Sequence, residues 1–202
     1  MLAGYRLARP LLLSHSVVLR WVMALAATLA ALLVPHATVG AQALPTYDDT
    51  ALAALSLLDA NPATNQLRAV LDSNRVSIQF MPMPPGVYAR YSVGRHAIEI
   101  DSRWQDADSV TIAAVIAHEA THAQDAVSGY LSSGGASACI DSEIRALRTS
   151  ALFWIGIFGP DGKPVAVDDL ERQLNSIADR QVHDPAGLEN LVRQTYSQQC
   201  AQ

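Results

Sequence analysis

The sequence predicts a small α+β domain, and three observations lead there. Apolar residues recur at helical spacing over most of the chain after residue 48. One region, residues 75–101, alternates instead and is broken by proline and glycine. Its strands form one consecutive group with helices before and after, so a short antiparallel sheet is expected rather than a βαβ series. Half of the 202 residues are apolar, enough for one domain with a core, and no internal repeat is present.

Residues 1–43 stand apart. Arg6, Arg9 and Arg20 are basic, and no acid appears before Asp48. Residues 21–34, "WVMALAATLAALLV", are uncharged and apolar, and small residues follow, ending "VGAQA". That order is an export signal, with cleavage expected after Ala41 or Ala43. An uncleaved signal anchor is the alternative, although the run is shorter than the roughly 20 residues of a spanning helix. The expected location is periplasmic or extracellular, with membrane contact only through such an anchor. Loss of residues 1–43 removes three arginines and no acid, moving the net charge from −5 to −8. That balance argues against a nucleic-acid partner. The two cysteines, Cys139 and Cys200, both lie in the exported part. A pair outside the cytoplasm reads as a disulfide.

Residues 44–202 are read as one domain. Residues 44–49 are a linker, and Thr50 to Ala60 is a helix. Asn61–Pro62 starts a second helix that runs to about Ser73. Arg75 to Met81 reads as a strand, and "PMPPG" breaks the chain. Val87 to Ser92 and His96 to Asp101 form a hairpin with Gly94 in its turn. A long helix capped by Asp106 or Asp108 reaches Val127. "SGYLSSGGAS" is a loop, Cys139 to Phe158 a helix, and "GPDGKP" a turn. Two helices follow, around residues 168–180 and 185–199.

The chemistry sits in "AVIAHEATHAQDAV", residues 114–127. On a helix, His118 and His122 are four apart and present two imidazoles to one point, as a metal ion needs. Glu119 lies about 100° around the axis, where it can act on a water without being a ligand. Both flanks of the helix are largely apolar, so the histidines are expected to face a dry cleft. Asp125 reads either as a partner for a ligand histidine's other nitrogen or as a solvated late-helix acid. Zinc is the expected ion, as one site with three protein ligands and an open fourth position. Asp141 and Glu143, on the next helix, are the candidates for third ligand. Glu143 borders the apolar stripe of Ile144, Leu147, Ala151 and Trp154, and so points inward. Buried there it needs a partner, which a metal supplies. Asp141 lies on the other flank near Arg145 and Arg148 and reads as a surface ion pair or a helix-start charge. Phe153, Trp154 and Phe158 read as core rather than as a specificity pocket. Tyr130, His183, His96, Tyr88 and Tyr91 are considered as transition-state donors, but each reads as structural or exposed.

His118, Glu119 and His122, with Glu143 twenty-one residues later, resemble the gluzincin group of zinc metallopeptidases. The likeness spans about residues 87–158 and is nearer to small bacterial members than to thermolysin-like enzymes. The latter carry an aspartate four residues after the glutamate, where this chain has Leu147. The metzincin pattern is excluded, because Asp125 and Ser128 stand where it needs Gly and His. The resemblance implies a zincin-like domain, with a short sheet packed on an active-site helix and a following ligand helix, and extra helices at both ends. It implies that "HAIEID" is a substrate-pairing edge strand. It also implies hydrolysis of a peptide or protein substrate with zinc held by His118, His122 and Glu143 and with Glu119 as general base. The competing expectations are a non-catalytic zinc-stabilised module and an exported helical binding or interaction protein.

Overall fold

The structure, a computed structural model, describes residues 47–201. The expected signal over residues 1–43 lies outside the described residues. Seven α-helices surround a three-stranded sheet: α1 (Asp49–Ala60), α2 (Leu67–Ser73), β1 (Ser77–Met81), β2 (Ala89–Ser92), β3 (Ala97–Asp101), α3 (Ser109–Val127), α4 (Tyr130–Ser133), α5 (Gly135–Phe158), α6 (Asp169–His183) and α7 (Pro185–Tyr196). The class is α+β and mostly helical. Among the described residues no helix is long and apolar enough to cross a membrane.

Aspartates start four of the helices by accepting a backbone N–H of the first turn. Asp48 takes that of Ala51, Asp108 of Val110, Asp168 of Glu171 and Asp184 of Gly187. Asp108, not Asp106, is thus the cap of α3. Gly129 ends α3 at φ 75°, where a side chain would be strained, and its N–H returns to the Ala126 carbonyl.

Four expectations need correction. α2 begins at Leu67, not at Asn61, because Asn61 is spent on the preceding turn: its side chain accepts from Ala63 N–H and donates to the Phe153 carbonyl. The glycine–serine stretch is not a loop throughout, since it contains α4 and the first residues of α5. The hairpin of β2 and β3 does hold Gly94 in its connection, as expected, and closes on His96 at φ 50°. The sheet is mixed, with order β1-β3-β2: β2 runs antiparallel to β3, but β1 runs parallel to it. β3, the Ala97–Asp101 part of "HAIEID", is therefore central and buried at every residue, so it is no substrate-pairing edge. Of its two acids, Glu99 is fully buried and paired with Arg90 at 2.6 Å and Arg95 at 2.8 Å, and Asp101 pairs with Arg103. The free edge facing α3 belongs to β2.

α3 packs against α1, α2, α5 and the sheet and is buried from Thr111 to Ala123 on all sides. The main core gathers α1, α2 and the sheet around α3, with Phe153 and Trp154 of α5 filling it. Their reading as core residues holds. A second cluster joins α5 (Ile144, Leu147, Ala151) to Ile177 of α6 and to Leu188, Val192 and Tyr196 of α7. Beyond it, Cys139 of α5 is disulfide-bonded to Cys200, four residues past the end of α7.

That bond closes a loop of 61 residues. Chain entropy puts its contribution at up to about 4 kcal/mol, or on the order of 10 °C in melting temperature for a domain of this size. The denatured, unreduced protein is expected to contain no free thiol, and the C139S/C200S double variant to melt lower by that order. A count of two thiols in the unreduced protein would contradict the pairing.

Candidate metal centre

α3 carries small buried side chains, Ala113, Ala114, Ala117 and Ala120, which let it pack closely among its neighbours, α5 among them. Into this contact α3 projects His118, His122 and Asp125, spaced i, i+4 and i+7 and so on one face. α5 answers with Ser142 and Glu143. The Nε2 atoms of His118 and His122 stand 3.1 Å apart, and Glu143 Oε2 and Oε1 lie 3.8 and 3.7 Å from them respectively. The three side chains are buried, and their donor atoms fall within 4.8 Å of one another. This cluster can hold a metal ion. Asp141, the rejected alternative, is on the far flank and pairs with Arg193 at 3.2 Å. The expected Asp141 pairing with Arg145 and Arg148 is not what forms. Arg145 reaches Asp125 at 2.7 Å, and Arg148 pairs with Glu189 of α7, because tertiary partners displace the helical neighbours.

Hydrogen bonding sets the tautomer of His122. The Ser142 hydroxyl donates to Asp125 Oδ2 at 2.6 Å, so its oxygen receives the proton of His122 Nδ1, 2.8 Å away. Nε2 is thereby turned toward His118 and Glu143 with its lone pair free whenever the ring is neutral. Asp125 is buried, as the first of its two readings requires, but it acts through Ser142 and not directly. Ser142 was not legible from spacing alone: it sits next to Glu143, and only the facing of α3 by α5 gives it a role.

Glu119 is buried beside this cluster. It accepts a hydrogen bond from the backbone N–H of Tyr91, on the free edge of β2. Burial pushes its carboxyl up to about 7, with Glu143 adding to the rise and His122 and the Tyr91 N–H opposing it. Burial, reinforced by His122, holds His118 well below the ordinary histidine range. For His122 burial acts downward too, but the carboxylates of Glu143, Glu119 and Asp125 outweigh it and raise the ring to about 9. Without metal, then, one proton sits between the two imidazoles, on His122.

The site opens into a cleft of about 580 Å³. One wall is β2 and the turn after it (Ala89 to Tyr91, and Val93), and the other is Leu131 with Ala136 and Cys139 at the start of α5; Cys200 and its neighbours close the end. Of the five donors considered from sequence, only Tyr91 lines the cleft. Tyr88 stacks near Trp104, Tyr130 lies under Arg145, His96 is exposed in the hairpin turn, and His183 sits at the surface by Asp179. A residue that sequence reading missed is Tyr196 of α7, buried near Glu143, where burial and the Glu143 charge hold its phenol well above the ordinary tyrosine range. No family model, no curated protein and no solved structure matches this chain.

His118→Ala, His122→Ala and Glu143→Ala are each expected to empty the site in elemental analysis of the purified protein, whereas Asp141→Ala keeps its metal. An empty Asp141→Ala with a loaded Glu143→Ala would reverse the assignment.

The metal-free protein should also lose stability with rising pH. His122 binds its proton more tightly when folded, so its contribution is complete below about pH 6.5 and is lost as pH rises through about 9. Glu119, raised to about 7, has the same sign at lower pH, and His118 acts oppositely only in acid. Melting temperature in the presence of a chelator is therefore expected to fall from pH 7 to 9.5. A metal ion replaces that proton and should flatten the slope. A metal-free melting temperature that rises over this range would be inconsistent with a proton held at His122.

Proposed function

We propose that this chain is an exported zinc metallopeptidase of gluzincin type that hydrolyses peptide bonds. The observation that carries this reading is the position of Glu119: buried at the cleft, anchored by a backbone N–H, and beside the three donor atoms rather than among them. A purely structural metal site has no use for such a carboxylate.

The donor set suits zinc. The two imidazole Nε2 atoms are 3.1 Å apart, and with one carboxylate oxygen of Glu143 the three donor atoms lie within 4.8 Å of one another, near enough for one ion to be shared. Two imidazoles and one carboxylate, without a thiolate, are the ligand types of a catalytic site with a position left open. When bound, zinc supplies Lewis acidity, which acidifies a water and polarises a substrate carbonyl. Glu119, with its carboxyl near 7, takes the proton of the attacking water and returns it to the leaving amine. The apolar cleft limits bulk water at that step. The free edge of β2 offers backbone groups to an extended peptide, in the manner of strand addition. The disulfide is compatible with export, and the acidic balance favours a peptide or protein substrate over nucleic acid.

Glu119→Gln is expected to bind zinc as the wild type does while peptide-library hydrolysis falls by about 10²–10⁴-fold, the usual effect of losing a general base. Equal hydrolysis by both proteins would refute the role. A wild type that binds zinc but cleaves nothing would favour the non-catalytic module, and one that binds no metal the helical interaction protein.

A further inference from the structure

The cleft beside the metal centre encloses about 580 Å³, the size of a small-molecule site rather than of a long peptide groove. Its two sides differ. Along β2 the wall is a strand with a free edge, which an extended chain can follow. Facing it, Cys139, Gln199, Cys200 and Ala201 stand together, and the two cysteines are joined covalently. Both cysteines are part-exposed, so the disulfide itself belongs to the cleft surface.

The segment after α7 is held at this place by that bond. Among the described residues its own hydrogen bonds are local: Cys200 N–H donates to the Tyr196 carbonyl at 2.9 Å, and the Ser197 hydroxyl to the Gln194 carbonyl at 3.1 Å. Neither ties the segment to α5. The disulfide does, with the two Cα atoms 5.6 Å apart, and Cys200 packs against the apolar cluster shared by α5 and α7. A wall fastened in this way does not swing aside as a loop tip can.

How near the wall stands to the metal centre follows from α5. Cys139 and Glu143 are four residues apart on that helix, so they share one face and are separated by about 6 Å along its axis. An extended peptide advances about 3.3 Å per residue, so about two substrate residues fit between the metal centre and the wall. Val93, in the wall that β2 forms, is 55% exposed and gives the remainder of a substrate chain an apolar surface leading out to solvent.

We propose that the Cys139–Cys200 bond and the residues it holds, 199–201, close the cleft on one side, so that the substrate is a peptide cut within about two residues of a chain end and not in its middle. The proposal rests on the reading of the site as a peptide-bond hydrolase. The disulfide is then a determinant of specificity as well as a brace for the fold.

The test is a digest of one long peptide by the zinc-loaded wild type, in four forms: both ends free, the amino end blocked by a bulky group, the carboxyl end so blocked, and both blocked. Products are followed by mass spectrometry. Single residues or dipeptides should leave stepwise from one end, and blocking that end should stop the reaction while blocking the other does not. Internal fragments as the main early products of the doubly blocked peptide would overturn the proposal. Binding supplies a reading without turnover. In calorimetry on Glu119→Gln, lengthening a short peptide beyond about two residues on the walled side should lower its affinity. Affinity that holds or rises with that extension would overturn the limit. C139S/C200S should shift the products toward internal cleavage, because residues 199–201 are no longer fastened to α5. A wild-type ratio of internal to terminal products in that variant would overturn the role of the disulfide. Should the variant fail to fold, the wild-type digest and the Glu119→Gln titration decide without it. A wild type that holds zinc and cleaves none of the four peptides sinks the proposed function and this inference together, whereas internal cleavage by the wild type sinks this inference alone.

Discussion

Between α3 and α5 four ionisable side chains, His118, Glu119, His122 and Glu143, are each no more than 6% exposed. Burying charge without partners costs several kcal/mol per group, so this cluster is the demand that the surrounding structure has to meet. It is met from four directions. β2 supplies a backbone N–H to Glu119. Ser142 and Asp125 take up the back of His122. Arg145 sits on Asp125 at 2.7 Å and balances its charge from the cleft's outer side. α7 brings Tyr196 to Glu143. A hydrophobic quartet at the same place would need none of these, and His118, His122 and Glu143 form a cluster that can hold a metal ion.

Most of that demand was legible in the sequence, because it follows from helix geometry. His118 and His122 four apart, with Glu119 beside them, fix one face of α3 whatever packs on it. Glu143 could be told from Asp141 by the apolar stripe it borders, and the structure puts the two on opposite flanks. Cys139 and Cys200 could be paired because the chain has no other cysteine. What the sequence did not reveal depends on which element meets which. β1 could not be seen to pair parallel with β3, since a lone alternating strand carries no mark of its partner. The resemblance implied an edge strand at "HAIEID", yet the strand is central and two arginines neutralise its Glu99 inside the sheet. Asn61 looked like a helix start until the Phe153 carbonyl claimed its amide. Ser142 and Tyr196 carry no spacing signal of their own.

The buried Glu99 has a structural consequence at the site. It lies directly opposite Arg90 across β2 and β3, and that pairing sets the register in which Tyr91 faces Ile98. In this register Tyr91 turns its N–H outward from the sheet to Glu119. A slip of one residue would reverse every side chain of β2 and carry that N–H away from the carboxylate. A buried ion pair adds little net stability over an apolar pair, but it discriminates strongly between registers, because the slipped sheet would leave Glu99 buried without Arg90. Glu99 is thus better understood as fixing where β2 sits than as strengthening the sheet. The placement of Glu119 then rests on a charge pair in the sheet.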